Sequence, residues 1–446
     1  MAHRAWLLLL FAAAALGAES RFPPPDFEGG HQVPVPTTPA ARALTLEYLD
    51  VVVLVAALGL ATWLVYRSRS RRGITWLSLF SLGYFGFYRR GCVCAIGAIQ
   101  NIAFGAFEPG YAIPLTVLAF FVAPLVVALF FGRTFCAAVC PHGALQDLVL
   151  VKPLKVPSWL EHGLGVLPFF FVGAGVIFAA TGSAFLICRY DPFVPLFRLT
   201  GSVGLLGLGA AFLVIGTVIG RPYCRFFCPY GALLRLASLA AKWRVRVTPD
   251  TCTQCRLCEH SCPYGAMREP SGGAAAAESP PIERRRLTLL LLVLPVLIGL
   301  GALAGYQLAP AAARLHPTVA LAEFHLRNQA SPTKYPAMTP EALSLERAAA
   351  DPETLIASAK RVRQRITLAS WLLGAWVGLV IGAKLIALSV RVTRTDFEPD
   401  RGGCVACARC FLSCPNERVR RGLPVEALPV APGPDPAVAA VAADAK

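Results

Sequence analysis

LDVVVLVAALGLATWLVYRSRSRR, Leu49 to Arg72, changes character once and sharply. The first part, Leu49 to Tyr66, is apolar except for Asp50 and Thr62. As a helix rising 1.5 Å per residue it is close to the length that crosses a hydrocarbon core about 30 Å thick. RSRSRR follows at once, and four arginines in so short a loop belong on the cytoplasmic side of a membrane. This stretch therefore predicts a membrane helix and fixes its direction.

The rest of the chain agrees in composition. Its 446 residues are 56% hydrophobic and only 15% charged, with a mean hydropathy of +0.57, which a soluble domain would not carry. Further apolar segments run Ile74 to Tyr88, Tyr111 to Phe131, Leu164 to Ile187, Val203 to Ile219, Leu287 to Leu308 and Ile366 to Val390. With Leu49 to Tyr66 these predict an all-α polytopic membrane protein of about seven transmembrane helices, the second being the shortest. The net charge of +16 fits arginine-rich helix ends rather than a nucleic-acid partner.

Alternation from the arginine loop places Lys152 and Lys155, the stretch Arg221 to Arg246, Arg284 to Arg286 and everything after Val390 inside. The segment around Cys92, the CRYDPF turn from Cys188 and the loop 309–365 then lie outside. Arg89 and Arg90 fall on the outer side, against the general trend. At the N-terminus, 1–20 have the short basic start, apolar run and small-residue end of a signal peptide, and the Pro-rich 21–46 reads as an exported linker. That reading also puts the mature N-terminus outside, in the periplasm of a bacterial inner-membrane protein. A membrane domain then spans 47–246, two further membrane segments take 287–308 and 366–390, and 423–446 is expected to be a disordered tail.

Thirteen residues at Thr251, TCTQCRLCEHSCP, follow the pattern C-x-x-C-x-x-C-x-x-x-C-P at Cys252, Cys255, Cys258 and Cys262. CVACARCFLSCP repeats it at Cys404, Cys407, Cys410 and Cys414. This is the spacing of bacterial ferredoxin [4Fe-4S] sites, in which three thiolates clamp one cube and the fourth reaches its neighbour. Zinc sites favour paired C-x-x-C units with a longer gap. Two membrane segments separate the runs, 247–270 and 396–422, so both return to the cytoplasmic side and can form a small two-cluster ferredoxin-like module. The expected ligand sets are crossed: Cys252, Cys255 and Cys258 with Cys414, and Cys404, Cys407 and Cys410 with Cys262.

A second repeat lies in the membrane domain. GRTFCAAVCPHGAL, Gly132 to Leu145, and GRPYCRFFCPYGAL, Gly220 to Leu233, share the frame G-R-x-x-C-x-x-x-C-P-x-G-A-L. Each follows a segment running inward, so the pair forms an internal repeat at one depth. The C-x-x-x-C spacing puts both sulfurs on one helical face, and the proline suits a helix start. Cys136, Cys140, Cys224 and Cys228 could ligate an additional metal centre, form redox-active disulfides, or pack where small residues are needed. Arg133 and Arg221 could neutralise a thiolate-rich site or anchor helix ends.

Three cysteines remain outside. Cys92 and Cys94 lie in a Gly-broken apolar stretch that could re-enter the membrane if protein surrounds it. With Cys188 they could bind metal or supply a disulfide and an odd thiol. His316 and His325 have nothing at ligand spacing and read as surface or packing residues. Walker loops, dinucleotide fingerprints and Ser/His/Asp arrangements are all missing from the sequence.

The order of repeat element, D-P-F turn (Asp191 to Phe193), repeat element and ferredoxin-type cysteine runs resembles the membrane and iron–sulfur portion of NosR/NirI polyferredoxin proteins. NapH-type quinol dehydrogenases and CcoG-type proteins are similar at greater distance. The resemblance covers Leu49 to Arg268, and the last cysteine run by spacing. It implies electron transfer between a quinol pool or cytoplasmic reductant and an exported redox enzyme, with two [4Fe-4S] clusters and a quinone as cofactors. The chain departs from that pattern in two places. The stretch Arg21 to Leu46 is too short for an exported flavin-binding domain, so a separate exported flavoprotein or redox-enzyme subunit would supply one, and a membrane segment and outer loop separate the two ferredoxin runs. A different class of function, a maturation factor whose membrane thiols reduce or pass copper or iron, suits the soft thiolate ligands.

Overall fold

The computed structural model describes residues 43–425 apart from 92–94, 109, 183–184, 248–251, 271–279, 331–351, 391–393 and 395. The expected signal peptide, most of the linker and tail, and Cys92 and Cys94 lie outside the described residues. The chain is a helical membrane protein. Four helical stretches are long and apolar enough to cross a bilayer: Leu44–Tyr66, Ser158–Ala180, Arg284–Arg314 and Glu353–Ser389. Ala95–Phe107, Leu115–Phe131 and Val203–Gly216 are apolar but shorter.

In chain order the main helices are α1 (Leu44–Tyr66), α2 (Arg71–Ser81), α3 (Ala95–Phe107), α4 (Leu115–Phe131), α5 (Pro141–Val149), α6 (Leu167–Ala180), α7 (Val203–Gly216), α8 (Pro229–Leu239), α9 (Pro280–Arg314), α10 (Pro317–Ala330) and α11 (Pro352–Ser389). Local chemistry sets their ends. Ser70 caps α2, its hydroxyl accepting from Gly73 N at 3.2 Å. Gly132, at φ 67°, stops α4. The segment Ile74 to Tyr88 is helical throughout, but its second half, Leu82–Tyr88, is π-helical. The segment Leu164 to Ile187 breaks, α6 ending at Ala180 with Thr181 as its cap.

α9 and α11 form one long hairpin, and glycines set how close they come. A Cβ at Gly301 or Gly305 would collide with the backbone of Gly374 or Ser370, and one at Gly378 with that of Leu297. Small residues thus let the two backbones meet directly, as membrane helices do where there is no water to drive association. The hairpin reaches the body through α6, where Trp376 Nε1 donates to Phe169 O at 2.7 Å across Gly173. Beyond the apolar part, α10 folds against the N-terminal half of α11, where Glu323 meets Arg363 at 3.0 Å and Arg314 at 3.6 Å. The loop 309–365 is therefore partly helical.

The hairpin returns the chain to the end it left. There the two cysteine runs pair through a short antiparallel ladder, Met267 opposite Pro399 and Arg268 opposite Glu398. The arginine loop grips the second run from the same end. Arg69 meets the buried Glu417 at 2.6 Å and covers the Phe411 ring, while Arg71 Nη1 donates to Cys407 O at 3.2 Å. Lys155 holds the first run through Glu259 at 2.5 Å.

Candidate iron–sulfur and thiol sites

Both ferredoxin-type runs wrap in the same way. Gln254 and Arg256 flank Cys255 with φ of 50° and 58°, and Ala406 and Ala408 flank Cys407 with 55° and 62°. Left-handed backbone at a residue with a Cβ is costly, so four such residues at matching positions mark an imposed turn. The turn coils each run around a cavity. One cavity is lined by Cys252, Cys255, Cys258 and Cys414, and the other by Cys262, Cys404, Cys407 and Cys410. These are the two crossed sets expected from the spacing. Burial pushes the Cys258 thiol up to about 12, with Cys252, Cys255 and Cys414 adding to the rise. Burial likewise raises Cys404 to about 12 against the Ala406 N–H. Thiols so crowded hold their protons until a cation takes their place.

The membrane repeat builds a third cavity, lined by Cys136, Cys140, Cys224 and Cys228. The motif explains its own geometry. Cys140 and Cys228 are the N-caps of α5 and α8, each with proline at the first helical turn, and Cys228 Sγ accepts from Gly231 N at 3.3 Å. Cys136 sits in a π-helical turn, Phe135–Val139, and Cys224 in the short helix Pro222–Phe226.

The arginines cross between the repeats. Arg221 of the second element lies on the first, its Nη1 donating to Cys136 O and its Nη2 to Ala137 O at 3.4 Å. Arg133 of the first lies beside Gly231 of the second. A Cβ at Gly143 would come within 3.0 Å of Arg221 Nη1 and 3.2 Å of Cys136 O, and one at Gly231 within 3.1 Å of Cys224 O. The glycine of each C-P-x-G thus makes room for the carbonyl of its own element's first cysteine, and Gly143 also for Arg221 of the partner element. Each half-site is completed by the other, which gives the repeated G-R and C-P-x-G one purpose.

Several residues that carry this site are silent in the sequence. Gln146 offers Oε1 to Tyr223 N at 3.0 Å and its Nε2 to Cys224 Sγ at 3.1 Å. Asp147 accepts from Arg221 at 2.7 and 3.0 Å and from Tyr264 OH at 2.6 Å, and it lies 3.5 Å from Arg71. Burial would raise Asp147, but Arg221, Tyr264 and Arg71 outweigh it and hold the carboxyl at about 2. On the opposite flank His142 Nε2 stands 3.5 Å from Asp191 Oδ1, an ion-pair separation without hydrogen-bond geometry. Burial alone would lower His142; Asp191 and Cys140 reverse this and raise it to about 10. Tyr223 OH donates to the other Asp191 oxygen at 3.2 Å. Asp191 belongs to the D-P-F turn and caps it, accepting from Phe193 N at 2.9 Å. The only sequence signals for these contacts are the differences within the repeat, where His142 answers to Tyr230 and Phe135 to Tyr223.

Cys188 is exposed and stands apart from these cavities, against Gly97 at the start of α3. His316 keeps a buried, unpartnered Nδ1.

Comparison with known families agrees with this layout. A family described as a 4Fe-4S binding domain matches residues 113–157 and 200–247, one repeat element in each, and a second of the same description matches 245–268. The chain is 30% identical to NirI of Paracoccus denitrificans over 46% of its length and 32% of that protein's. It is 29% identical to the provisionally named electron transport protein YccM of Escherichia coli, over 32% of this chain and 44% of that one. With the regulatory protein NosR of Pseudomonas aeruginosa it shares 26% identity over 50% of its length and 33% of that protein's. The chain is thus similar to the NosR/NirI-type polyferredoxins and shares their 4Fe-4S binding domains. These matches cover less than half of each of the three relatives. No solved structure matches the chain.

Proposed function

We propose that this chain is a membrane electron-transfer protein whose three cysteine cavities each hold an iron–sulfur cluster, and that it links a quinol pool or cytoplasmic reductant to an exported redox partner. In this reading the cytoplasmic ferredoxin-like module holds two [4Fe-4S] clusters in the crossed ligand sets, and seven membrane segments carry the third site. Such clusters supply one-electron transfer at potentials that burial and hydrogen bonds to sulfur adjust.

The observation that carries the reading is that the three cavities form one continuous row. Cys410 packs against both module cavities. Cys136 of the repeat site packs with Cys262, Cys404 and Cys407 of the second, and Arg133 ties the two sites by donating to Gly402 O at 3.0 Å. On its far flank the repeat site meets the D-P-F turn through His142 and Asp191, the turn that the arginine distribution places outside. In this reading the row points from the cytoplasmic module towards the exported side, the direction in which a carrier has to bridge the membrane.

The donor sets fit clusters better than single ions. In each cavity four thiols line a space, and among the described residues no three His, Cys, Asp or Glu side chains converge to hold one ion. Arg133, Arg221 and protonated His142 provide the positive charge that a buried thiolate-rich centre requires.

Iron and acid-labile sulfide, with EPR, on anaerobically purified protein test the proposal. Wild type should hold about twelve irons, and the variant with Cys136, Cys140, Cys224 and Cys228 all changed to alanine about eight. Eight in both would reduce the repeat cysteines to thiol chemistry or packing and break the row.

A further inference from the structure

A fourth cavity lies where the membrane helices meet the cysteine runs, and its polar lining has a charge imbalance. Five guanidinium groups face it, from Arg133, Arg221, Arg225, Arg235 and Arg268, against two carboxylates, Glu161 and Asp400. Arg225 is paired with Glu161 at 2.9 Å, Arg268 with Asp400 at 3.8 Å, and Arg221 with Asp147, behind the wall, at 2.7 Å. Those three pairs use both carboxylates of the cavity. Arg133, whose Nη2 donates to Cys136 Sγ at 3.8 Å, and Arg235 have no carboxylate of their own there.

Arg235 is half-buried on α8, and Arg133 lies deeper. Arg133 is 7% exposed, spends Nη1 on Gly402 O, and keeps an Nε that is buried without any hydrogen-bond partner. The Arg235 guanidinium makes no hydrogen bond or ion pair among the described residues, although its side chain packs on Gly402. Burial disfavours the charged Arg235 most, Asp400 and Glu161 favour it, and Arg133 and Arg268 repel it. A guanidinium cannot shed its proton to escape such a site. A bound anion would balance the positive charge that the two carboxylates of the cavity leave over, beside the thiols that Arg133 and Arg221 face. The cavity holds about 60 Å³, several times what one water needs.

We propose that this cavity binds a phosphate-type oxyanion, gripped by Arg235 and Arg133 between α8, the start of α6 and the two cysteine runs. Forked guanidinium donors from different elements suit a tetrahedral oxyanion better than water. The ligand would tie α8 to the loop Asp400 to Val405 and so lock the cysteine runs onto the membrane helices. Cys136 and Cys224 line the same cavity, so the anion would also place negative charge beside the repeat thiols. The chemistry is the same whether the oxyanion is free phosphate, a soluble phosphate ester or the headgroup of an anionic phospholipid.

The test uses the full-length protein purified in phosphate-free buffer. Thermal unfolding is followed with added inorganic phosphate, with sodium chloride at matched ionic strength, and in nanodiscs of phosphatidylglycerol or phosphatidylcholine. Ligand that favours the folded form raises the unfolding temperature in proportion to its occupancy. Stabilisation by phosphate beyond that by chloride, weakened at least tenfold in apparent affinity by Arg235→Gln and less by Arg235→Lys, supports a soluble oxyanion. Stabilisation by phosphatidylglycerol alone, lost in the same variant, supports a lipid headgroup. Equal responses in wild type and Arg235→Gln, or none beyond chloride, overturn the proposal. If Arg235→Gln does not fold, phosphorus measured per wild-type chain after exhaustive washing decides: about one per chain sustains the site, and none refutes it.

Discussion

Asp147 and Arg221 form a buried charged contact whose energetic character can be tested. The pair is two-pronged, at 2.7 and 3.0 Å, with side-chain exposures of 7% and 2%. Solvent screening therefore gives little discount. Breaking a buried pair by removing one partner costs about 3–5 kcal/mol, because the other charge is left without compensation. The two single variants should differ. Arg221→Met leaves Asp147 with Arg71 at 3.5 Å and Tyr264 OH at 2.6 Å, so it should fall at the lower end, about 3 kcal/mol. Asp147→Leu leaves Arg221 buried with only the backbone oxygens of Cys136 and Ala137 and also orphans Tyr264 OH, so it should reach about 5 kcal/mol. The double variant removes both charges and leaves Tyr264 OH as the main loss, about 1–3 kcal/mol for one unsatisfied buried hydroxyl. The cycle should thus give a double variant at least about 5 kcal/mol better than the sum of the singles. Equilibrium unfolding in mixed micelles, followed by helicity, measures all four corners. Additive losses, or a double variant worse than either single, would refute the view that Asp147 and Arg221 are a closed unit.

Three further outcomes follow from the geometry. Cys414→Ala should disturb the EPR signal of the cavity whose other thiols are Cys252, Cys255 and Cys258, and Cys262→Ala that of the Cys404 cavity; the opposite pairing would remove the crossed assignment. His142 has a folded pKa of about 10, above the ordinary value near 6.5, so its contribution is complete below about pH 6.5 and lost as pH rises through about 10. Thermal unfolding temperature should accordingly fall between pH 7 and 10 in wild type, and less in His142→Gln; equal slopes would count against the His142–Asp191 pair. Gly374→Leu, at the closest approach of α9 and α11, should cost more than the about 1–3 kcal/mol of ordinary overpacking and lower the iron content of the paired runs, read by disulfide cross-linking between the helices and by iron assay.

The sequence carried much of this arrangement in forms that survive without tertiary contacts. RSRSRR predicts a helix direction, and the doubled C-x-x-C-x-x-C-x-x-x-C-P predicts the two groups of four cysteines that line the two cavities, because a ligand spacing is itself a geometric constraint on a short loop. Other features could not be read in advance. The π-helical turn at Phe135–Val139 depends on how the backbone accommodates the opposing element. The break of α6 at Ala180 falls inside an apolar run that length alone makes continuous. Arg133 and Arg221 could be read as helix anchors because their partners, Gly402 and Asp147, lie far away in sequence. Nothing in a single chain reports that a loop chosen for its charge, Arg67 to Arg72, also grips Glu417 and Cys407.

The repeat itself explains why the third site has two unlike sides. Superposed by motif, Phe135 answers to Tyr223 and His142 to Tyr230, and each aromatic meets its counterpart's neighbour: Phe135 lies edge-on to Tyr230 at 5.8 Å, and Tyr223 lies nearly parallel to His142 at 6.2 Å. A perfect repeat would give two equivalent flanks. Here the Phe135 flank is apolar, with Tyr230 OH spent on Phe121 O at 2.7 Å, whereas the His142 flank gathers a carboxylate, a phenol and an imidazole around the D-P-F turn. Buried polar groups are costly and tend to be kept where they do something specific. The asymmetry thus falls on the flank opposite the cysteine runs, where Arg133 and Gly402 make the other connection. A pseudo-symmetric pair of half-sites forms the thiol cavity, and the departures from symmetry distinguish its two ends, one joined to the cysteine runs through Arg133 and the other to the buried D-P-F turn through His142.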